Sequence, residues 1–270
     1  MDRRLYRQSD ARGEQVSKPL NIWHEYEGAL LRLRLDQPKA NIVDATMIAA
    51  LTDALEQNRD DTALKAILLD ASGPHFSFGA SVEEHMPDQC AEMLKSLHQL
   101  VRLMVQSPVP ILVAIQGQCL GGGLEVAAAG QLLFASEEVN LGQPEMQLGV
   151  FAPAASCLLP ERIGQSRADD LLFSGRSVGG MEALEMGLVD FVSDDPAASA
   201  VAYFSKHLAP KSGSSLRFAV KAARHDYCSR IANKLNEVER LYLEELMSTR
   251  DAVEGLTAFT AKRPAKWENR

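Results

Sequence analysis

Apolar positions along the chain fall into two periods. Leu30-Leu31-Arg32-Leu33-Arg34-Leu35 alternates in part, as a half-buried strand does. Ala66-Ile67-Leu68-Leu69, Ile111-Leu112-Val113-Ala114-Ile115 and Gln131-Leu132-Leu133-Phe134-Ala135 are short, nearly continuous apolar runs. Such runs predict strands of a sheet covered on both faces. Between them the period lengthens. Met47, Ile48, Leu51 and Leu55 recur at helical spacing behind Asp44, a residue suited to cap a helix start. Met93, Leu94, Leu97, Val101 and Met104 do the same from Cys90 to Gln106, before Pro108 and Pro110 break the chain. A third helix is predicted over Gly121 to Ala129. Alternating strands and helices up to about residue 190 predict an α/β core over residues 19–195. From Pro196 onward only helical patterns remain, including Ile231 to Met247 and Ala252 to Lys262. Residues 196–270 therefore read as a helical subdomain that packs on its own core or on a neighbouring subunit. Residues 1–18 are polar and charged and read as a flexible leader.

The chain has 270 residues, 46% hydrophobic and 24% charged, an ordinary globular composition. Its net charge of -8 counts against general nucleic-acid affinity, which needs basic surface to neutralise phosphate. A local Lys or Arg still suffices for one anionic ligand. Cys90, Cys119, Cys157 and Cys228 are scattered without metal-ligand spacing, which suits thiols in a reducing compartment. The six histidines form no metal pattern, and no apolar run reaches the roughly 20 residues needed to span a bilayer. A cytoplasmic protein away from membranes and nucleic acid is expected.

Three segments carry candidate chemistry. Gly121-Gly122-Gly123 follows a strand and enters a helix, and Glu125 sits in that helix's first turn. Helix-terminal amides have no internal partner and lie at the electropositive end, a place where a developing oxyanion is stabilised. The plainer alternatives are glycines that allow close packing and a glutamate that answers the helix dipole. Glu145 lies in the tight turn Gly142-Gln143-Pro144-Glu145, either as a solvated turn residue or as a second acid–base group. Two carboxyl groups converging on one water would hold one of them protonated near neutrality. Phe76-Ser77-Phe78-Gly79-Ala80-Ser81 is either a strand exit or the source of one more backbone donor. Together the segments suggest chemistry on a thioester carbonyl. GxGxxG, GxSxG and Walker spacings are absent.

These three segments, in this order, resemble the enoyl-CoA hydratase (crotonase) family. The similarity runs from about residue 20 to the C-terminus and includes Ser174-Gly175-Arg176 and Ala183-Leu184-Glu185-Met186-Gly187-Leu188-Val189. The resemblance implies a spiral of ββα units with a C-terminal helical region, assembled as trimers or dimers of trimers. It implies that the amides of Ala80 and Gly122 form an oxyanion hole and that Glu125 and Glu145 are the catalytic pair. Lys39, Ala40, Phe78, Ala80, Phe259 and Lys262 match positions that contact coenzyme A. The substrate carries that group itself, so no metal or redox cofactor is expected. Keeping both glutamates favours water addition over double-bond migration, and it counts against a non-catalytic or RNA-binding member. Two departures narrow the acyl group. Ser81 replaces the usual Asp, and Ala152-Pro153-Ala154-Ala155-Ser156 replaces a glycine-rich stretch. With Ser81, His85, Phe151, Ala152 and Pro153 around the acyl pocket, the chain is similar to the branch that hydrates cyclohexadiene-carbonyl-CoA thioesters. General enoyl-CoA hydration and isomerisation are the alternatives.

Overall fold

The computed structural model describes residues 18–38 and 40–270. The expected leader, apart from Lys18, and the candidate Lys39 lie outside the described residues. In chain order the elements are β1 (Leu20–Glu25), β2 (Leu30–Leu35), α1 (Ala45–Asn58), β3 (Ala66–Ala71), α2 (Cys90–Val105), β4 (Ile111–Ile115), β5 (Gln118–Leu120) and α3 (Gly122–Ala128). There follow β6 (Leu132–Ala135), β7 (Asn140–Gly142), α4 (Pro153–Ile163), α5 (Gln165–Ser174), β8 (Ser177–Val178), α6 (Gly180–Met186) and β9 (Phe191–Val192). The C-terminal part holds α7 (Pro196–Tyr203), α8 (Gly213–Arg240) and α9 (Arg250–Thr260).

Six strands form one sheet in the order β1-β2-β3-β4-β6-β9, with β1 antiparallel to β2 and every other pairing parallel. A smaller sheet has the order β5-β7-β8. The partial alternation of β2 has a direct cause. Leu31, Leu33 and Leu35 face the main core, while Arg32 and Arg34 on the other face both reach the buried Asp70 of β3, at 2.6 and 2.8 Å. A charge in that position is tolerated because it is paired and hydrogen-bonded. The near-continuous apolar strands β3 and β4 are covered on both sides, as expected of parallel strands. Leu30, Leu68, Leu112 and Phe134 pack with Ala200 and Phe204 of the α7 segment, and the opposite face packs against α1 and α2. Asp44 caps α1 by accepting from the Met47 amide at 2.9 Å.

The C-terminal helices settle on their own chain. Ile231, Leu235, Tyr242, Ala252 and Leu256 are all buried in the main core cluster. The helix predicted from Ile231 to Met247 starts much earlier, at Gly213, where Ser212 accepts from the Ser215 amide. It stays α-helical to Arg240 and continues through a π-helical turn at Leu241–Glu245. Its length was hidden because only Ile231 and Leu235 are fully buried along its 28 residues.

Candidate active site

Three strand ends meet beside one another. β5 and β7 are parallel neighbours with Leu120 opposite Gly142, and Ser77 bridges Cys119 on the other side of β5. The Leu120 amide donates to the Ser77 carbonyl (3.1 Å) and the Gly121 amide to the Gly142 carbonyl (2.9 Å). The three sequence segments thus leave the small sheet in register, which brings residues far apart in the chain to one place. Gly121 turns the chain from β5 into α3 with φ 50° and ψ -127°. Any β-carbon there would also lie 2.5 Å from Glu145 Oε1, so only glycine fits. At Gly122 a β-carbon would lie 2.8 Å from the Ala80 side chain and 3.0 Å from its amide nitrogen. The Ala80 and Gly122 amides therefore stand side by side. Among the described residues neither donates to an acceptor. A pair of free N–H groups at a helix start is a preformed site for a developing oxyanion.

Glu125 is buried on the first turn of α3, and its Oε1 accepts from the Ala155 amide at 2.9 Å. That amide belongs to the N-terminal turn of α4, which begins at Pro153. A helix start with a proline at its first position leaves its next amides free to hold a carboxylate. Burial raises the Glu125 pKa to about 7, opposed by the Ala155 and Ala154 amides. Glu145 is half-buried on the turn Pro144–Leu148. Burial, and next the charge of Glu125, raise its pKa to about 8. The two carboxyl groups therefore feel each other across one small space, and near neutrality a protonated and an ionised group share it. Buried Gln143, with its amide nitrogen turned to Glu145, donates to both carboxylate oxygens at 3.2 and 3.0 Å.

The other sequence candidates take several positions. Ala152 and Pro153 are buried at the start of α4, behind the Glu125 carboxylate. Phe151 is half-buried and stands edge-on to Tyr242, with ring centroids 5.3 Å apart. Ser81 begins the turn that carries His85, whose Nδ1 meets the Ser81 carbonyl at 2.7 Å. Burial holds the His85 imidazole below its ordinary value. Phe78 is exposed and its amide donates to the Ala40 carbonyl (3.0 Å), tying the Ala40 loop to the Ala80 loop. Phe259 and Lys262 are exposed at the end of α9, which packs on the Glu145 turn. A cavity of about 810 Å³ opens elsewhere, between α8 and the chain at Val105 to Pro108. Sequence reasoning gave no role to Gln143, to the Ala154 and Ala155 amides, or to Tyr242. Pro153 after a turn was a usable signal for the amides; nothing local marks Tyr242.

A mostly parallel α/β fold that brings two carboxyl groups near two free amides, on turns that follow its strands, is the arrangement of an acyl-thioester hydratase or isomerase. The chain belongs to the enoyl-CoA hydratase/isomerase family, which matches residues 25–270. Its sequence is 65% identical over 256 residues, covering 95% of this chain and 99% of the relative, to a cyclohexa-1,5-dienecarbonyl-CoA hydratase of Thauera aromatica. It is 30% identical to a probable enoyl-CoA hydratase of Bacillus subtilis (strain 168), over 87% of this chain and 94% of the relative. The crystal structure of an enoyl-CoA hydratase/isomerase from Pseudoalteromonas atlantica T6c superposes with a TM-score of 0.80 at 25% identity, covering 93% of this chain and 100% of that one.

Proposed function

We propose that this protein adds water to cyclohexa-1,5-diene-1-carbonyl-CoA to give 6-hydroxycyclohex-1-ene-1-carbonyl-CoA, a step of anaerobic aromatic (benzoyl-CoA) degradation. The observation that carries the reading is the pair of carboxyl groups, Glu125 and Glu145, both raised toward neutrality beside the free Ala80 and Gly122 amides. The 65% identity to the Thauera aromatica hydratase supports the cyclic acyl group.

The thioester oxygen accepts from the Ala80 and Gly122 amides. Water between Glu125 and Glu145 loses a proton to the ionised carboxylate as it attacks the ring carbon β to the thioester. Electrons move onto the thioester oxygen, where the two amides hold them. The second double bond extends this dienolate to the γ carbon, across the ring from the attacked carbon. The protonated carboxyl group supplies the proton that ends up there, and the remaining double bond shifts into conjugation with the thioester. The net change is one water added 1,4, with one carboxyl group deprotonated and the other protonated as the roles exchange. The thioester is the electron sink, so the reaction needs no cofactor beyond the CoA its substrate carries. Ala40, Phe78, Phe259 and Lys262, with Lys39, are the proposed CoA contacts. Four free thiols suit a reducing cytoplasm.

The test is turnover of the purified protein with the cyclic dienoyl-CoA and with crotonyl-CoA in heavy-oxygen water. Label in the cyclic hydroxyacyl product, at a kcat/KM well above that for crotonyl-CoA, is expected. Preference for the linear thioester would return the protein to general enoyl-CoA hydration, and a shifted double bond without label would make it an isomerase.

A further inference from the structure

Tyr242 lies on the π-helical turn Leu241–Glu245 that follows α8, far in sequence from either glutamate. Its side chain is fully buried, and its hydroxyl has no hydrogen-bond partner among the described residues. A buried hydroxyl without a partner destabilises the fold, whereas phenylalanine would fill the same space at no such cost. A purely packing role therefore leaves the oxygen unexplained, as buried polar groups normally find partners. Its surroundings place it. The ring stands edge-on to Phe151, in the short stretch between the Glu145 turn and the α4 amides that hold Glu125. Beyond burial, the groups whose charge acts on the phenol are Cys90, Glu125 and Glu145, and all of them keep it protonated. It is a buried O–H donor near enough to both carboxyl groups for their charge to act on it. π-Helical turns inside longer helices occur often at functional sites.

We propose that Tyr242 is a third catalytic residue, whose hydroxyl donates a hydrogen bond to the oxygen of the water that becomes the product hydroxyl. This rests on the hydratase reading above, though not on the identity of the acyl group. Water offers two protons and two lone pairs. With its protons directed at Glu125 and Glu145 and one lone pair attacking carbon, the other lone pair is left for a donor. The proposed Tyr242 hydrogen bond fills that fourth direction. The phenol keeps its proton throughout, so no bond to it forms or breaks. In the reverse reaction the same O–H stabilises the departing oxygen as the carbon–oxygen bond breaks.

Tyr242→Phe removes one oxygen and keeps the ring against Phe151. On whichever acyl-CoA the wild-type protein hydrates, kcat is expected to fall about 10- to 100-fold, the range of one hydrogen bond to a reacting, charge-bearing group. KM for the thioester stays within about threefold, because the CoA and oxyanion contacts are untouched. The melting temperature is expected to be unchanged or higher, since an unsatisfied buried hydroxyl is gone. A variant as fast as wild type overturns the proposal. So does one whose lost activity comes with a lower melting temperature, because the hydroxyl would then serve the fold. Wild-type protein that turns over a linear enoyl-CoA in place of the cyclic diene removes the substrate assignment alone, and the Tyr242 comparison is then read on that linear substrate.

Discussion

At the scale of single residues, the protonation of Glu125 and Glu145 governs both rate and stability. Each has a folded pKa raised above the 4.5 of a free glutamate, to about 7 and about 8, and burial is the first cause for both. The working form holds one proton between them, so kcat/KM should be bell-shaped with both limbs near neutrality and not near pH 4 to 5. Glu125→Gln and Glu145→Gln should each lower turnover by at least about 10²-fold with folding retained. A purified variant with near-wild-type hydration would remove that glutamate from the mechanism. The same shifts have a cost for the free protein. A carboxyl group with a raised folded pKa stabilises fully below its unfolded value, and that contribution is lost as pH rises through the folded one. Relative to the double Gln variant, the unliganded wild-type melting temperature should therefore decline from about pH 5 to about pH 8. Identical slopes for both proteins would show that these carboxyl groups are not held protonated by the fold.

At the scale of elements, α2 and α8 are joined through a buried contact between His98 and Glu239, Nδ1 to Oε2 at 2.6 Å. His98 is fully buried and its Nε2 has no partner among the described residues. Burial lowers its pKa and outweighs Glu239, while Arg102 on the same helix adds to the lowering. A histidine with a depressed folded pKa stabilises fully above its ordinary 6.5, and this is lost as pH falls through the folded value. Each unit of pH in that window should cost up to about 1.4 kcal/mol. Over about pH 7 to pH 5 the wild-type denaturant midpoint should thus lose ground relative to His98→Leu, opposing the gain that the two glutamates give over the same range; parallel curves for the two proteins would refute it. Elements with strong periods or caps, such as α1 behind Asp44 and the apolar β3 and β4, were legible in the chain. The edge strand β1 was not, because Asn21, Ile22 and His24 are exposed and blur its alternation. β5, β7 and β8 have only 3, 3 and 2 residues, too short for any period, and their pairing is tertiary. That is why the motifs named the two glutamates but spacing could not show their meeting. Tyr242 packs on Phe151 only because the C-terminal helices fold back on the core, a fact no local pattern encodes.

At the scale of the whole molecule, folding back leaves apolar surface unused. Phe218 on α8 is 72% exposed and Phe173 on α5 is 71% exposed, the most exposed of the large apolar side chains among the described residues. Phe218 stands in a groove with Val105, Pro108, Val220 and Ala232, rimmed by Arg217, Lys221 and Arg224. An apolar centre with a basic rim, on a chain of net charge -8, is complementary to the acidic surface of another copy as well as to its own aromatic rings. Closed symmetric rings satisfy such a surface without leaving a free end. The family resemblance implies a trimer or two trimers face to face, and we propose that the α8 groove lies at a subunit contact. Light scattering after size-exclusion chromatography should give three or six subunit masses for the wild-type protein. Phe218→Asp should move the mass toward one subunit, because it removes the ring contact and puts a charge that must be desolvated into an apolar centre. A wild-type protein that elutes as single chains at assay concentration, with full turnover, would mean that the groove serves neither assembly nor catalysis.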